Sequence, residues 1–159
     1  MRIIGFDPGM AETGFGIINC LHKKITLINH GSIKTEKTLP TPNRLAQIYQ
    51  QTMSLIREHK PEILAIESLF FSVNVKSASA VGQAIGVIKL AAAQNNISVV
   101  EYPPLKIKMA LSGNGRAEKS LIQDKVKDVL CLAEIPKPNH ASDALAAAIC
   151  HWQEINKKN

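Results

Sequence analysis

The sequence predicts an α/β fold: one mixed sheet with helices packed on its faces. Three observations carry that expectation. The opening stretch reads as apolar strands separated by short turns rich in Gly or polar residues. The middle alternates between helical and strand-like patterns, and the closing stretch is helical in its spacing.

Residues 2–7, "RIIGFD", form a strand that stops at the Pro8-Gly9 turn. "TGFGIIN" from Thr13 is a second strand and "KITLINHGSI" from Lys24 a third, so the three make an antiparallel meander. From Asn43, the residues Leu45, Ile48, Leu55 and Ile56 recur at helical spacing, with Pro42 suited to a helix start. After Pro61, "EILAIESLFF" is a continuous apolar run holding one acid, Glu67, as expected of a buried central strand. A long helix follows, with Ala78, Val81, Ile85, Ile88 and Ala92 at intervals of three and four. Its small residues Ala80, Gly82, Ala84 and Gly86 would permit close approach by another backbone. "ISVVEY" is a short strand ending before Pro103-Pro104 and completes a sheet of five. "EKSLIQDKVKDVLCLA" is an amphipathic helix burying Ile122, Val126, Val129 and Leu130. Ala141 to Trp152 forms the last helix; residues 153–159 are read as a short polar tail, and 1–152 as a single domain.

A chain of 159 residues can bury about two thirds of its unfolded surface in one core. Its content of 45% hydrophobic and 20% charged residues is that of an ordinary globular protein. Glu67, Lys89 and Asp143 interrupt the apolar runs, and none approaches the ~18 residues of a membrane span. "MRIIGFD" lacks a secretory apolar region, so a cytoplasmic location is expected. Cys20, Cys131 and Cys150 form neither a zinc pattern nor a disulfide framework and suit a reducing compartment. Lys plus Arg number 19 against 13 Asp plus Glu, a net charge of +6 that favours a polyanionic partner. Lys106, Lys108, Arg116, Lys119, Lys125 and Lys127 crowd one stretch.

The acids that interrupt apolar structure are the informative ones. Asp7 closes the first strand, and Glu67 lies near the end of the most apolar one. In "NHASDALAAA", His140 and Asp143 stand three apart, on one face of a helix start. Each has an ordinary structural reading. Asp143 could cap the helix or complement its dipole, Asp7 could form the turn, and Glu67 could be a partly exposed strand end. Convergence of all four at one edge of the sheet would be different. Three neighbouring carboxylates raise at least one pKa unless cations neutralise them. Oxygen-rich sites with one imidazole suit Mg²⁺ or Mn²⁺. Two such ions about 3.5–4 Å apart can activate a water and stabilise a leaving oxygen in phosphodiester hydrolysis.

"IIGFDPGMAETGFGII", "AIESLFFSVNVKSASAVGQAIGV", "SGNGRAEKSLIQ" and "ASDALAAAICH" resemble the successive motifs of the RuvC family of bacterial Holliday-junction resolvases. The resemblance covers the chain to about residue 152. It implies a ribonuclease H-like fold, a homodimer, and Mg²⁺-dependent nicking of two strands of a four-way DNA junction in recombination and repair. It also implies two Mg²⁺ ions per subunit, with Mn²⁺ able to substitute. By position, the family's acidic site falls on Asp7, Glu67 and Asp143. His140 stands where many relatives have aspartate and some have histidine; it is the fourth member of the site, as metal ligand or as proton carrier. Lys119 matches the family's "AEKS" motif. A cation in the first turn of a helix is disfavoured by the dipole, and a phosphate shared with Arg116 and helix N–H groups would offset that. Lys108 matches a further basic position, Phe70 the residue that stacks on an unpaired base, and Asn74 the same contact region. Phe71 reads as core. The small-residue helix from about Ala78 to Ala92 is the expected dimer face, and the RuvA–RuvB branch-migration complex is the implied partner. Three alternatives remain: a phosphotransferase using "DPGMAETG" as a phosphate cradle, a silent DNA-binding module, and a related nuclease of different substrate. The first would need a second nucleotide-binding lobe, for which the chain leaves no room.

Overall fold

The computed structural model describes residues 1–69 and 75–157, and for residues 75–77 the backbone alone. The roles expected of Phe70, Phe71 and Asn74 therefore lie outside the described residues.

Strands β1 (Arg2–Asp7), β2 (Glu12–Leu21) and β3 (Lys24–Lys34) form the expected antiparallel meander. Helix α1 (Thr41–His59) leads to β4 (Ile63–Glu67), which pairs with β1 in parallel. Helix α2 (Val75–Gln94) leads to β5 (Ser98–Tyr102), parallel to β4. Helices α3 (Pro104–Ser112), α4 (Lys119–Val129) and α5 (Asn139–Lys157) complete the chain. The five-stranded sheet has the order β3-β2-β1-β4-β5, which puts β1 at its centre.

Alternation along the strands divides the core in two. Ile3, Ile18 and Ala65 face one side and pack with Ile107 of α3, Ile122 and Val126 of α4, and the buried stripe of α5. Ile4, Phe6, Ile17, Leu64 and Ile66 face the other and pack with Ile48 and Ile56 of α1 and Ala84, Ile88 and Ala92 of α2. Helices thus cover both faces, and β1 and β4 are apolar on both because neither face meets water.

Helix α5 lies unusually close to the sheet. Gly5 and Gly16 are cross-strand partners, as are Asp7 and Gly14. A Cβ on Gly5 would fall 2.0 Å from the Ala144 carbonyl oxygen, and one on Gly14 would fall 2.0 Å from that of His140. The alanines at 144 and 146–148 complete this seat from the helix side, all at most 1% exposed. The glycines let the helix start sit directly over the strand end that carries Asp7.

Some boundaries differ from expectation. Helix α3 is not expected from the sequence, where Pro103-Pro104 marks only the end of a strand. Pro104 is instead the opening residue of a helix, where the missing N–H costs nothing. Helix α4 ends at Val129, short of Leu130, with Cys131 in the left-handed region at φ 52°. Helix α5 continues through Lys157, into the segment read as a polar tail, where Glu154 pairs with Lys106 at 3.0 Å. Among the described residues, no helix is long and apolar enough to cross a membrane.

Candidate active site

Three elements deliver the acids to one edge of the sheet. Asp7 ends β1 and Glu67 ends the adjacent parallel strand β4, so both side chains emerge at the same strand termini. His140 and Asp143 come from the first turns of α5, placed over Asp7 by the glycine seat. His140 Nδ1 lies 2.7 Å from Asp7 Oδ2, and Asp143 Oδ2 is paired with the Lys119 ammonium. Ligand atoms of Asp7, His140 and Asp143 all lie within 4.8 Å of one another. Glu67 stands beside this trio, outside that distance. It lines a cleft of about 290 Å³ together with Lys108, Lys119 and Asp143, walled by Pro104, Ile107, Ile122 and Ala146.

The electrostatics follow from crowding. Burial pushes the Glu67 carboxyl up to about 7, and the charges of Asp7 and Asp143 push the same way. Asp7 is also raised, by burial and by Asp143, with the His140 bond holding the shift back. Lys119 loses solvation, yet its bond to Asp143 and the charges of Asp143, Asp7 and Glu67 raise its pKa. The cluster and its adjoining cleft therefore bring together three acids, two of which, Asp7 and Glu67, resist ionisation, with Lys119 held charged beside them. Carboxylate oxygens with one imidazole are a donor set that fits a hard divalent cation, which would remove the repulsion.

Of the residues expected at the site, Asp7, His140 and Asp143 come together, with Glu67, Lys108 and Lys119 lining the adjoining cleft. Arg116 does not join them: it lies exposed in the loop between α3 and α4, its backbone N–H bonded to Asn114 Oδ1 at 2.9 Å. Arg44 and Thr35, which the sequence motifs do not mark, hold the loop following Asp7. A cation in the first turn of α1, against the helix dipole, was the available signal.

A mixed five-stranded sheet covered on both faces, with an acid-and-imidazole cluster at its strand ends, defines a nuclease of the ribonuclease H-like resolvase class. The family described as crossover junction endodeoxyribonuclease RuvC matches residues 3–151, and the chain belongs to it. Crossover junction endodeoxyribonuclease RuvC of Alkaliphilus oremlandii is 48% identical over 151 residues, covering 95% of this chain and 92% of that protein. The structure of Thermus thermophilus RuvC superposes with a TM-score of 0.93 at 32% identity, covering 99% of this chain and 97% of that one. T. thermophilus RuvC in complex with Holliday junction substrate gives 0.94 at 31% identity, covering 99% and 96%.

Proposed function

We propose that this protein resolves Holliday junctions, each subunit of a homodimer nicking one strand of the four-way DNA at the cluster of Asp7, Glu67, His140 and Asp143. The observation that carries this reading is the meeting of Asp7, His140 and Asp143 within 4.8 Å beside a cleft bearing two lysines. The T. thermophilus relative in complex with Holliday junction substrate supports the choice of DNA.

Asp7, Glu67, His140 and Asp143 would hold the metal, taken to be two Mg²⁺ ions with Mn²⁺ able to substitute. Bound divalent cations supply an activated water and charge stabilisation at the leaving oxygen. The chain's own residues do the rest. The His140 bond fixes the direction of the Asp7 carboxylate; the other imidazole nitrogen, Nε2, takes no part in that bond and is the atom through which His140 would ligate or move a proton. In the metal-free protein the Glu67 carboxyl is raised to about 7, and a bound cation would displace that proton and hold Glu67 as a carboxylate ligand. Lys119 and Lys108 line the cleft where the scissile phosphate would lie, and Arg116 serves as an outlying phosphate contact. By the resemblance, Phe70 and Asn74, which lie outside the described residues, would contact a base unpaired at the crossover.

The outer face of α2 is the proposed dimer surface. Leu90 is 52% exposed, and among the described residues a Cβ on Gly86 would meet nothing beyond its own turn of helix within 4 Å. A twofold axis there gives two active sites for two symmetric nicks. The RuvA–RuvB complex is the proposed partner, and the cytoplasm the proposed location.

The test is cleavage of a synthetic mobile four-way junction beside a linear duplex of the same sequence, with Asp7→Asn as control. Paired symmetric nicks confined to the junction and lost in the variant are expected. Equal cutting of the duplex would replace this reading with that of a nuclease of different substrate, and cutting by Asp7→Asn would remove the site from it.

A further inference from the structure

Asp7 is followed by a loop, Pro8 to Ala11, in which no residue is fully buried. Burial alone cannot fix such a loop, yet polar bonds pin it at three consecutive residues. Thr13 Oγ1 accepts from the Gly9 N–H at 3.2 Å and donates to the Gly9 carbonyl at 2.7 Å. The Met10 carbonyl accepts from Thr35 Oγ1 at 2.5 Å and from an Arg44 Nη2 donor at 3.2 Å. The Ala11 carbonyl accepts from the Thr35 N–H at 3.1 Å. Arg44 also donates through Nε to Thr35 Oγ1 at 2.8 Å, so one guanidinium grips both the loop and the residue that holds it.

Arg44 sits in the first turn of α1, a helix with no acid there and no side-chain cap. A cation at a helix N-terminus opposes the macrodipole. Residues that break a local rule without local compensation are expected where function demands them. The guanidinium turns toward two oxygens, one on the loop and one on Thr35 just past the end of β3. Both bonds need separate N–H groups in fixed directions, which the planar fork supplies and an ammonium does not.

We propose that Arg44 is a positioning residue for the nuclease reaction: through Thr35 and the Met10 carbonyl it holds the loop that sets the Asp7 carboxylate against His140 and Asp143. Asp7 has a neighbour on its other side in His140, but the backbone leaving it runs straight into this loop. Releasing the Met10 carbonyl lets the Asp7 end of β1 shift relative to α5 and degrades the cation site without touching a ligand. The inference rests on the assignment of Asp7 to that site.

The experiment compares wild type with Arg44→Leu, Arg44→Lys and Thr35→Val by three readouts: Mn²⁺ binding by calorimetry without DNA, junction binding without divalent metal, and junction cleavage against metal concentration. Supporting residues around metal ligands typically carry about 10–100-fold in metal affinity or activity. Arg44→Leu is expected to weaken Mn²⁺ binding and raise the metal needed for half-maximal cleavage within that range, with junction binding and Tm near wild type. Arg44→Lys is expected to fail as a rescue, and Thr35→Val to reproduce the defect without adding to that of Arg44→Leu in the double variant. Rescue by lysine, or a loss of junction binding that matches the loss of cleavage, would make Arg44 a phosphate contact and overturn the proposal. Unchanged Mn²⁺ binding in Arg44→Leu would overturn it as well. Because calorimetry needs no junction, a wild type that binds Mn²⁺ but cuts no junction would sink the resolvase reading and leave this one standing.

Discussion

Glu67 carries the residue-scale consequence most open to measurement. Its carboxyl is raised from 4.5 to about 7, first by burial and then by Asp7 and Asp143. The folded, metal-free protein therefore holds this proton more tightly than the unfolded chain does. The stability contributed by that proton is present in full below pH ~4.5 and is lost as pH rises through about 7. Asp7 is shifted in the same direction. A cation competes with these protons, so metal affinity rises with pH up to about 7 and then levels. Thermal denaturation should show the metal-free Tm falling between about pH 5 and pH 8, with Mg²⁺ or Mn²⁺ restoring it chiefly at the upper end. A pH-independent effect of metal on Tm would mean that Glu67 does not face the cation. His140 gives a second residue-scale expectation. Replacing imidazole by carboxylate adds negative charge and removes a nitrogen donor, so His140→Asp should shift the cleavage preference from Mn²⁺ toward Mg²⁺. Identical Mg²⁺-to-Mn²⁺ rate ratios in the two proteins would deny the imidazole any special role. At this scale the sequence was informative where an acid broke an apolar run, as at Asp7 and Glu67. It was silent on the Lys119–Asp143 pair, which joins two helices through tertiary packing alone.

The contact between α5 and β2 is the element on which the site's assembly depends. The His140 carbonyl oxygen occupies the space a side chain at Gly14 would need. Backbone cannot yield as the end of a flexible side chain can, so Gly14→Ala must lift the start of α5 or displace the end of β2. Overpacking of this kind costs about 1–3 kcal/mol. A lowered Tm is expected, with a loss of Mn²⁺ affinity because His140 and Asp143 move away from Asp7. Wild-type metal binding in a folded Gly14→Ala protein would show that α5 is not seated by this glycine. The strands were legible as short apolar runs bounded by turn residues, as a sheet covered on both faces dictates, and most helices by their period of 3.6. Helix α3 was not: it is short, and its opening prolines read equally as the end of β5. The polar end of α5 escaped because no apolar stripe marks it, only the pairing of Glu154 with Lys106 and Lys157.

At the scale of the whole molecule, the proposed paired nicking calls for two sites related by one twofold axis, and the outer face of α2 is the surface proposed for it. Leu90→Glu places a charge on that proposed surface; a dimeric wild type and a monomeric variant in sedimentation, with the fold intact, are expected. Nicks in the junction should then lose their pairing. A variant that stays dimeric would move the interface elsewhere. The proposed activity depends on one arrangement: the strand-end acid Asp7 and the helix-borne His140 and Asp143 forming a cation site where β1 meets α5. Anomalous scattering from crystals soaked in Mn²⁺ tests that arrangement most directly. A manganese peak is expected among Asp7, His140 and Asp143, on the side of Glu67, and its loss is expected in Asp7→Asn. A peak elsewhere, or one that persists in Asp7→Asn, would contradict it.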